Sequence, residues 1–170
     1  MNRMVLRLVA CLGLAACAGV VLAGGHRAMP GTVPRVYVEE CASCHIAYPP
    51  GLLPGAAWQR LMDGLGRHYG TDASLDPASV KLIAGWLRDN AGRGKYALSP
   101  PADNRITRTG WFMRKHRGIP DSVWRMPSVK SAANCQACHT GAQQGRFDDD
   151  ELRIPDGLNA AQRRAFHDGE

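Results

Sequence analysis

The sequence predicts a mainly α protein with little or no β structure, arranged as two small helical lobes whose side chains alone make a thin core. Three observations carry that prediction. Apolar residues recur at three- and four-residue steps in several segments, the period of an amphipathic helix. No segment shows the sustained apolar–polar alternation of a half-buried strand. The 170 residues include 19 Gly and 11 Pro but only 3 Phe, a composition that disfavours long parallel sheets and doubly wound nucleotide folds. The net charge of +6 raises a polyanion or an anionic membrane as a partner class to be tested.

Residues 1–23 read as a secretory signal peptide rather than part of the fold. Arg3 and Arg7 give a positive start, an apolar run extends from Leu8 to Ala23, and Val21-Leu22-Ala23 supplies a cleavage site. The run is shorter than the roughly 20 residues of a spanning helix. Leu14-Ala15-Ala16-Cys17 competes as a lipobox whose cysteine would be acylated, and an uncleaved anchor is the third reading. All three place the remaining chain outside the cytoplasm, in the periplasm, with no transmembrane domain expected in the mature chain. Cleavage after Ala23 removes two arginines and no acids, leaving +4 and four cysteines: Cys41, Cys44, Cys135 and Cys138.

Those cysteines form two CxxCH motifs, Cys41-Ala42-Ser43-Cys44-His45 and Cys135-Gln136-Ala137-Cys138-His139. The pentapeptide is the attachment signature of c-type haem. Two thiols on one turn reach the two vinyl groups of a porphyrin and form thioethers, and the next histidine becomes an axial ligand of the iron. A four-cysteine zinc site uses paired cysteines too but gives no reason for a histidine after each pair. A redox disulfide is compatible with export, yet the strand–helix context of thioredoxin-like motifs is absent. The expected architecture is therefore helical lobes packed around two covalently bound haems.

The remaining elements follow in order. Residues 34–45 are expected as a short helix delivering the first motif. Tyr48-Pro49-Pro50-Gly51-Leu52-Leu53-Pro54 is a stiff loop, since three prolines fix φ and remove donors. Ala56 to Tyr69 is a helix with Trp58, Leu61, Leu65 and His68 on one stripe, stopped by Gly70. Asp76-Pro77 supplies an N-cap and a first-turn proline for a helix to about Asn90, with Leu82, Ile83, Trp86 and Leu87 as its buried face. Residues 91–104, with Gly92, Gly94, Pro100 and Pro101, are a linker. A helix leading to His116, a turn at Gly118-Ile119-Pro120 and a short helix through Trp124 precede the second motif and an acidic stretch at 148–151. The division is a first haem lobe over 24–99, a second over 100–156, and a polar tail over 157–170.

Each iron needs a second axial ligand or an open position. His45 and His139 are assigned by their motifs, and His26 and His167 lie in polar termini. His68, on an apolar stripe, and His116, one turn after Phe112, are the candidates for the opposite faces. Methionine competes through Met62, Met113 and Met126. The first two lie on helical stretches where Met commonly fills core gaps, so Met126 before Pro127 is the stronger rival.

These residues resemble a known family, the bacterial dihaem cytochrome c family often called DHC. The first half is similar through Glu40-Cys41-Ala42-Ser43-Cys44-His45-Ile46-Ala47-Tyr48-Pro49-Pro50-Gly51-Leu52-Leu53-Pro54, Trp58, His68-Tyr69-Gly70 and the segment 72–76. The second is similar through Arg105-Ile106-Thr107, Trp111 to His116, Asn134 to His139, Gly145-Arg146-Phe147 and Arg153-Ile154-Pro155. The resemblance spans roughly residues 36–155. It implies cytochrome c-like lobes, a soluble periplasmic electron carrier, and two histidines on each iron, with His68 and His116 at the distal positions. It also implies redox partners: a membrane b-type cytochrome and, in some relatives, an oxygen-binding monohaem c-type cytochrome.

Three function classes then stand side by side. An electron carrier needs both irons closed to substrate. A dihaem peroxidase-like or gas-ligand-binding protein needs one open or displaceable axial position. A nucleic-acid binder would use residues 105–130, which hold seven Lys/Arg against one Asp with Trp111, Phe112 and Trp124 interleaved. Export and the haem motifs argue against nucleic acid. The propionates of two haems would also bring the mature +4 near zero, so the charge argues little for a polyanion.

Overall fold

The computed structural model describes residues 28–98 and 101–166. The segment expected to be a signal peptide, with Cys17, His26 and His167, lies outside the described residues. No described helix is long and apolar enough to cross a membrane.

Six α-helices joined by 3-10 turns make up the described chain, which contains no strand; the β pairings in it are two isolated bridges, His68 with Thr71 and His139 with Leu152. Helix α1, Arg35–Cys41, enters from Pro34 and buries Tyr37. It ends at the first motif cysteine, so the rest of that motif is turn rather than helix. A 3-10 turn, Pro50–Leu52, interrupts the proline loop before α2, Gly55–Asp63.

Helix α2 is shorter than its apolar stripe suggests. It stops at Gly64, whose N–H bonds to the Leu61 carbonyl at 3.1 Å, and the chain continues as a 3-10 turn over Leu65–Arg67. A glycine is among the weakest helix formers, and Leu61 and Leu65 are only partly buried, so packing does not offset that preference.

Helix α3, Pro77–Asp89, follows the expected boundaries. The Asp76 carboxylate accepts the N–H groups of Ala78 and Ser79 at 2.9 and 3.0 Å, satisfying two of the orphan donors of a helix start. The buried face is rotated from the expected one. Ile83 and Leu87, one turn apart, are 0% and 1% exposed, whereas Leu82 is 50% exposed. Trp86 lies half-buried, its ring 4.8 Å from Tyr37 and its indole N–H donating to the Thr32 carbonyl.

The last three helices are short: α4, Gly110–Lys115; α5, Asp121–Trp124; and α6, Ala160–Arg164. Two apolar clusters result. The larger is built on Tyr37, Leu53, Trp58, Met62, Ile83 and Leu87, and the smaller on Val123, Val129, Ala137 and Leu158. The segment after residue 156 is polar in composition yet anchored: Leu158 is buried, Phe166 packs at the margin, and Asn159 with Gln162 forms a reciprocal cap on α6.

Among the links that cross between the halves are two tethers. The Ala28 N–H donates to the Gly145 carbonyl at 3.2 Å, and the Gly51 N–H donates to the Ala28 carbonyl. Gly145 has φ +71° and sits so close to Met29 that a Cβ there would fall 2.5 Å from the Met29 Cβ. Only glycine meets both requirements without strain. The second tether runs from the Tyr48 hydroxyl to the Ala133 carbonyl at 2.7 Å.

Truncating Ile83 to Ala should cost about 2–5 kcal/mol through the cavity it leaves, while Leu82→Ala should stay within about 0.5 kcal/mol. Denaturant unfolding of the haem-loaded protein checks the pair; equal losses would place the buried face where the sequence alone puts it.

Candidate functional site

The first site is assembled around the proline loop. Its backbone is held from several sides: the Tyr37 hydroxyl donates to the Tyr48 carbonyl, the Trp58 indole N–H to the Pro50 carbonyl at 2.7 Å, and the Gly92 N–H to the Leu53 carbonyl at 2.8 Å. Ile46, Ala47 and Leu53 are buried beneath it. His45 therefore leaves a rigid segment. Its Nδ1–H donates to the Ile46 carbonyl at 2.7 Å, which leaves Nε2 with the free lone pair.

His68 arrives from the other side, after the 3-10 turn that Gly64 starts. The next two residues, Tyr69 and Gly70, both have positive φ, 53° and 99°, and reverse the chain. Tyr69 is fixed by its hydroxyl on the Asp103 carbonyl at 2.9 Å and by the Arg105 guanidinium 4.0 Å over its ring. The result is that the His45 and His68 rings stand 6.1 Å apart, centroid to centroid, inclined at 33°.

The second site repeats the pairing with the order of the chain reversed. Thr109, itself buried, caps α4 at the Phe112 N–H, and His116 closes the helix with its Nδ1–H donating to the Phe112 carbonyl at 2.9 Å. The Phe112 ring stacks on His116 at 4.0 Å and 19°. The second motif forms a 3-10 turn, Cys135–Ala137, and the His139 N–H bonds back to the Cys135 carbonyl at 2.8 Å. Arg153 N–H donates to the Cys138 carbonyl, and Phe147 packs edge-on to His139 at 5.3 Å. His116 and His139 again stand 6.1 Å apart, inclined at 80°. In both pairs the two histidines are 23 residues apart in sequence.

Burial favours the neutral imidazole at three of these histidines. Burial holds His68, His116 and His139 below the ordinary histidine range; His45 and Arg105 add to the effect at His68, and His116 adds to it at His139. Burial likewise pushes the Cys41 and Cys135 thiols up to about 11 and raises Cys138. No disulfide joins the four motif cysteines, and Cys44 is exposed.

These residues fit a haem better than the alternatives. Two imidazoles each about 2 Å from a shared metal have ring centroids roughly 6 Å apart, the spacing of both pairs. Nδ1 of His68 and of His139 is buried without a partner, as is the Trp111 indole N–H. Among the described residues no three His, Cys, Asp or Glu side chains converge on one point, as a four-cysteine zinc site requires. The methionines are placed elsewhere: Met62 in the larger cluster, Met113 61% exposed, and Met126 against the smaller cluster. Tyr48, Tyr69 and Arg105 belong to the surroundings of the first site, which helical periodicity does not reveal because all three lie in loops.

A mainly helical chain carrying two CxxCH turns, each beside a facing pair of histidines, is a c-type cytochrome of the two-haem class. The family model DHC, dihaem cytochrome c, matches residues 37–147, and the chain belongs to that family. It is 39% identical to a solved structure of DHC from Rhodobacter sphaeroides, covering 68% of this chain and 98% of that one with a TM-score of 0.60. It is 37% identical to the dihaem cytochrome of type c from Shewanella baltica OS155, covering 73% and 96% with a TM-score of 0.64. No curated protein matches the chain. Family membership gives the protein two c-type haems.

Phe112→Ala should lower stability by about 3–5 kcal/mol and release the ring of His116. Unfolding of the loaded protein measures the first effect, and a change in the visible spectrum of one haem but not the other measures the second.

Proposed function

We propose that the protein is an exported electron carrier in which each haem iron is held between two histidines, His45 with His68 and His116 with His139. The observation that carries this reading is the approach of two imidazoles to 6.1 Å, centroid to centroid, in both halves. Cys41 and Cys44 attach the haem of a lobe over residues 24–99, and Cys135 and Cys138 that of a lobe over 100–156. The haems supply the one-electron redox chemistry.

The chain's own residues set the conditions for it. His45 and His116 each give Nδ1–H to a backbone carbonyl, which fixes the ring and raises the basicity of Nε2. Phe112 and Tyr48 lie against the imidazoles and exclude water from one side of each ring. With both axial positions taken by protein, no substrate reaches iron, and potentials fall below those of His/Met cytochromes. Redox proteins are then the partners: a membrane b-type cytochrome on one side and a soluble acceptor, such as an oxygen-binding monohaem c-type cytochrome, on the other. The signal peptide reading places this exchange in the periplasm.

Low-temperature EPR of the oxidised protein tests the ligation. Two low-spin bis-imidazole signals of different anisotropy are expected, because one pair of rings is inclined at 33° and the other at 80°. The reduced protein should not bind carbon monoxide at neutral pH, whereas His68→Ala and His116→Ala should each open one haem to it while keeping two haems per chain. Substantial binding by the unaltered protein would favour the peroxidase-like or gas-binding reading.

A further inference from the structure

Tyr48 lies in the loop after the first motif, and its local neighbours do not use its hydroxyl. The ring packs against His45, centroids 4.8 Å apart and inclined at 33°. The hydroxyl reaches 85 residues along the chain and donates to the Ala133 carbonyl at 2.7 Å. That same carbonyl accepts the Cys135 N–H at 3.0 Å, so it sits at the entrance of the second motif. The Tyr48 backbone is held in turn by the Tyr37 hydroxyl. One side chain thus touches the axial histidine of one motif and hydrogen-bonds the turn that carries the first cysteine of the other.

We infer that Tyr48 is a positioning residue that couples the two haem sites, fixing the second attachment turn against the first histidine and completing a short contact route between them. The inference rests on the reading that His45 is an iron ligand. An electron passing between the irons leaves one oxidised and the other reduced, and Tyr48 neither loses its proton nor changes oxidation state. A tyrosine phenol is protonated at neutral pH, so the donor is retained.

The test is Tyr48→Phe in the haem-loaded protein, which keeps the ring and removes the donor. Two haems per chain and both low-spin EPR signals should persist. Electron exchange between the haems after rapid reduction of one should slow by about three-fold or more, the scale expected when one member of a coupled network is cut. Placing 4-aminophenylalanine at position 48 should restore the donor and the rate. An unchanged exchange rate in the Phe variant would overturn the inference. A crystal structure of the unaltered haem-loaded protein provides a test free of any variant: a Tyr48 hydroxyl beyond hydrogen-bonding distance of the Ala133 carbonyl would overturn it as well. Absence of bis-imidazole signals in the unaltered protein would instead remove the ligation reading beneath it.

Discussion

Two facing imidazoles separated by 6.1 Å are the constraint to which each half of this chain is built. In neither half do the two rings come from one helix or one turn; separate segments carry them. In the first half those segments are the pinned proline loop and the positive-φ reversal after His68. In the second they are the end of α4, stacked under Phe112, and the 3-10 turn of Cys135–Ala137. The spacing is 23 residues in both halves, with motif and partner histidine exchanged in order, although the local routes are unrelated.

The small clusters make sense under that constraint. The buried apolar residues of the second half are few, and three of the six helices have six residues or fewer. Helices this short are not stable alone in water and depend on tertiary packing. Two porphyrins add large apolar plates that the amino-acid composition does not record. The poverty in Phe therefore reflects a fold whose interior is shared with its cofactors. The side-chain hydrogen bonds to backbone carbonyls that hold loops in place of regular structure, from Trp58, Tyr37 and Asn134 among others, serve the same end.

The charges are likewise settled locally. Several of the basic residues that crowd positions 105–130 have carboxylate partners: Arg105 and Arg108 with Asp103, Lys115 with Asp149, and Arg125 with Asp121. These pairs are largely exposed, so each adds little to stability. Their effect is to break up what reads in sequence as one continuous cationic segment.

Much was legible in the sequence because it is local. CxxCH spacing is a statement about one turn of chain and the reach of two thiols, and Asp76-Pro77 starts a helix through hydrogen bonds within three residues. His68 and His116 could be named as candidates, since few histidines remained and both lie near apolar neighbours. Other features were settled by contacts distant in sequence. Whether α2 runs past Gly64, and whether α3 buries Leu82 or not, depends on what packs alongside. Leu158 reads as part of a polar tail until its partners, Val123 and Val129, are beside it. The angles of 33° and 80° within the histidine pairs and the bond from Tyr48 to Ala133 are relations between segments tens of residues apart. Periodicity and capping are local signals and carry no information about such distances, which arise only when the chain closes on itself. The sequence by itself thus determined the helical fold class and the two haem motifs, and the tertiary structure decided how the candidate ligands stand against one another.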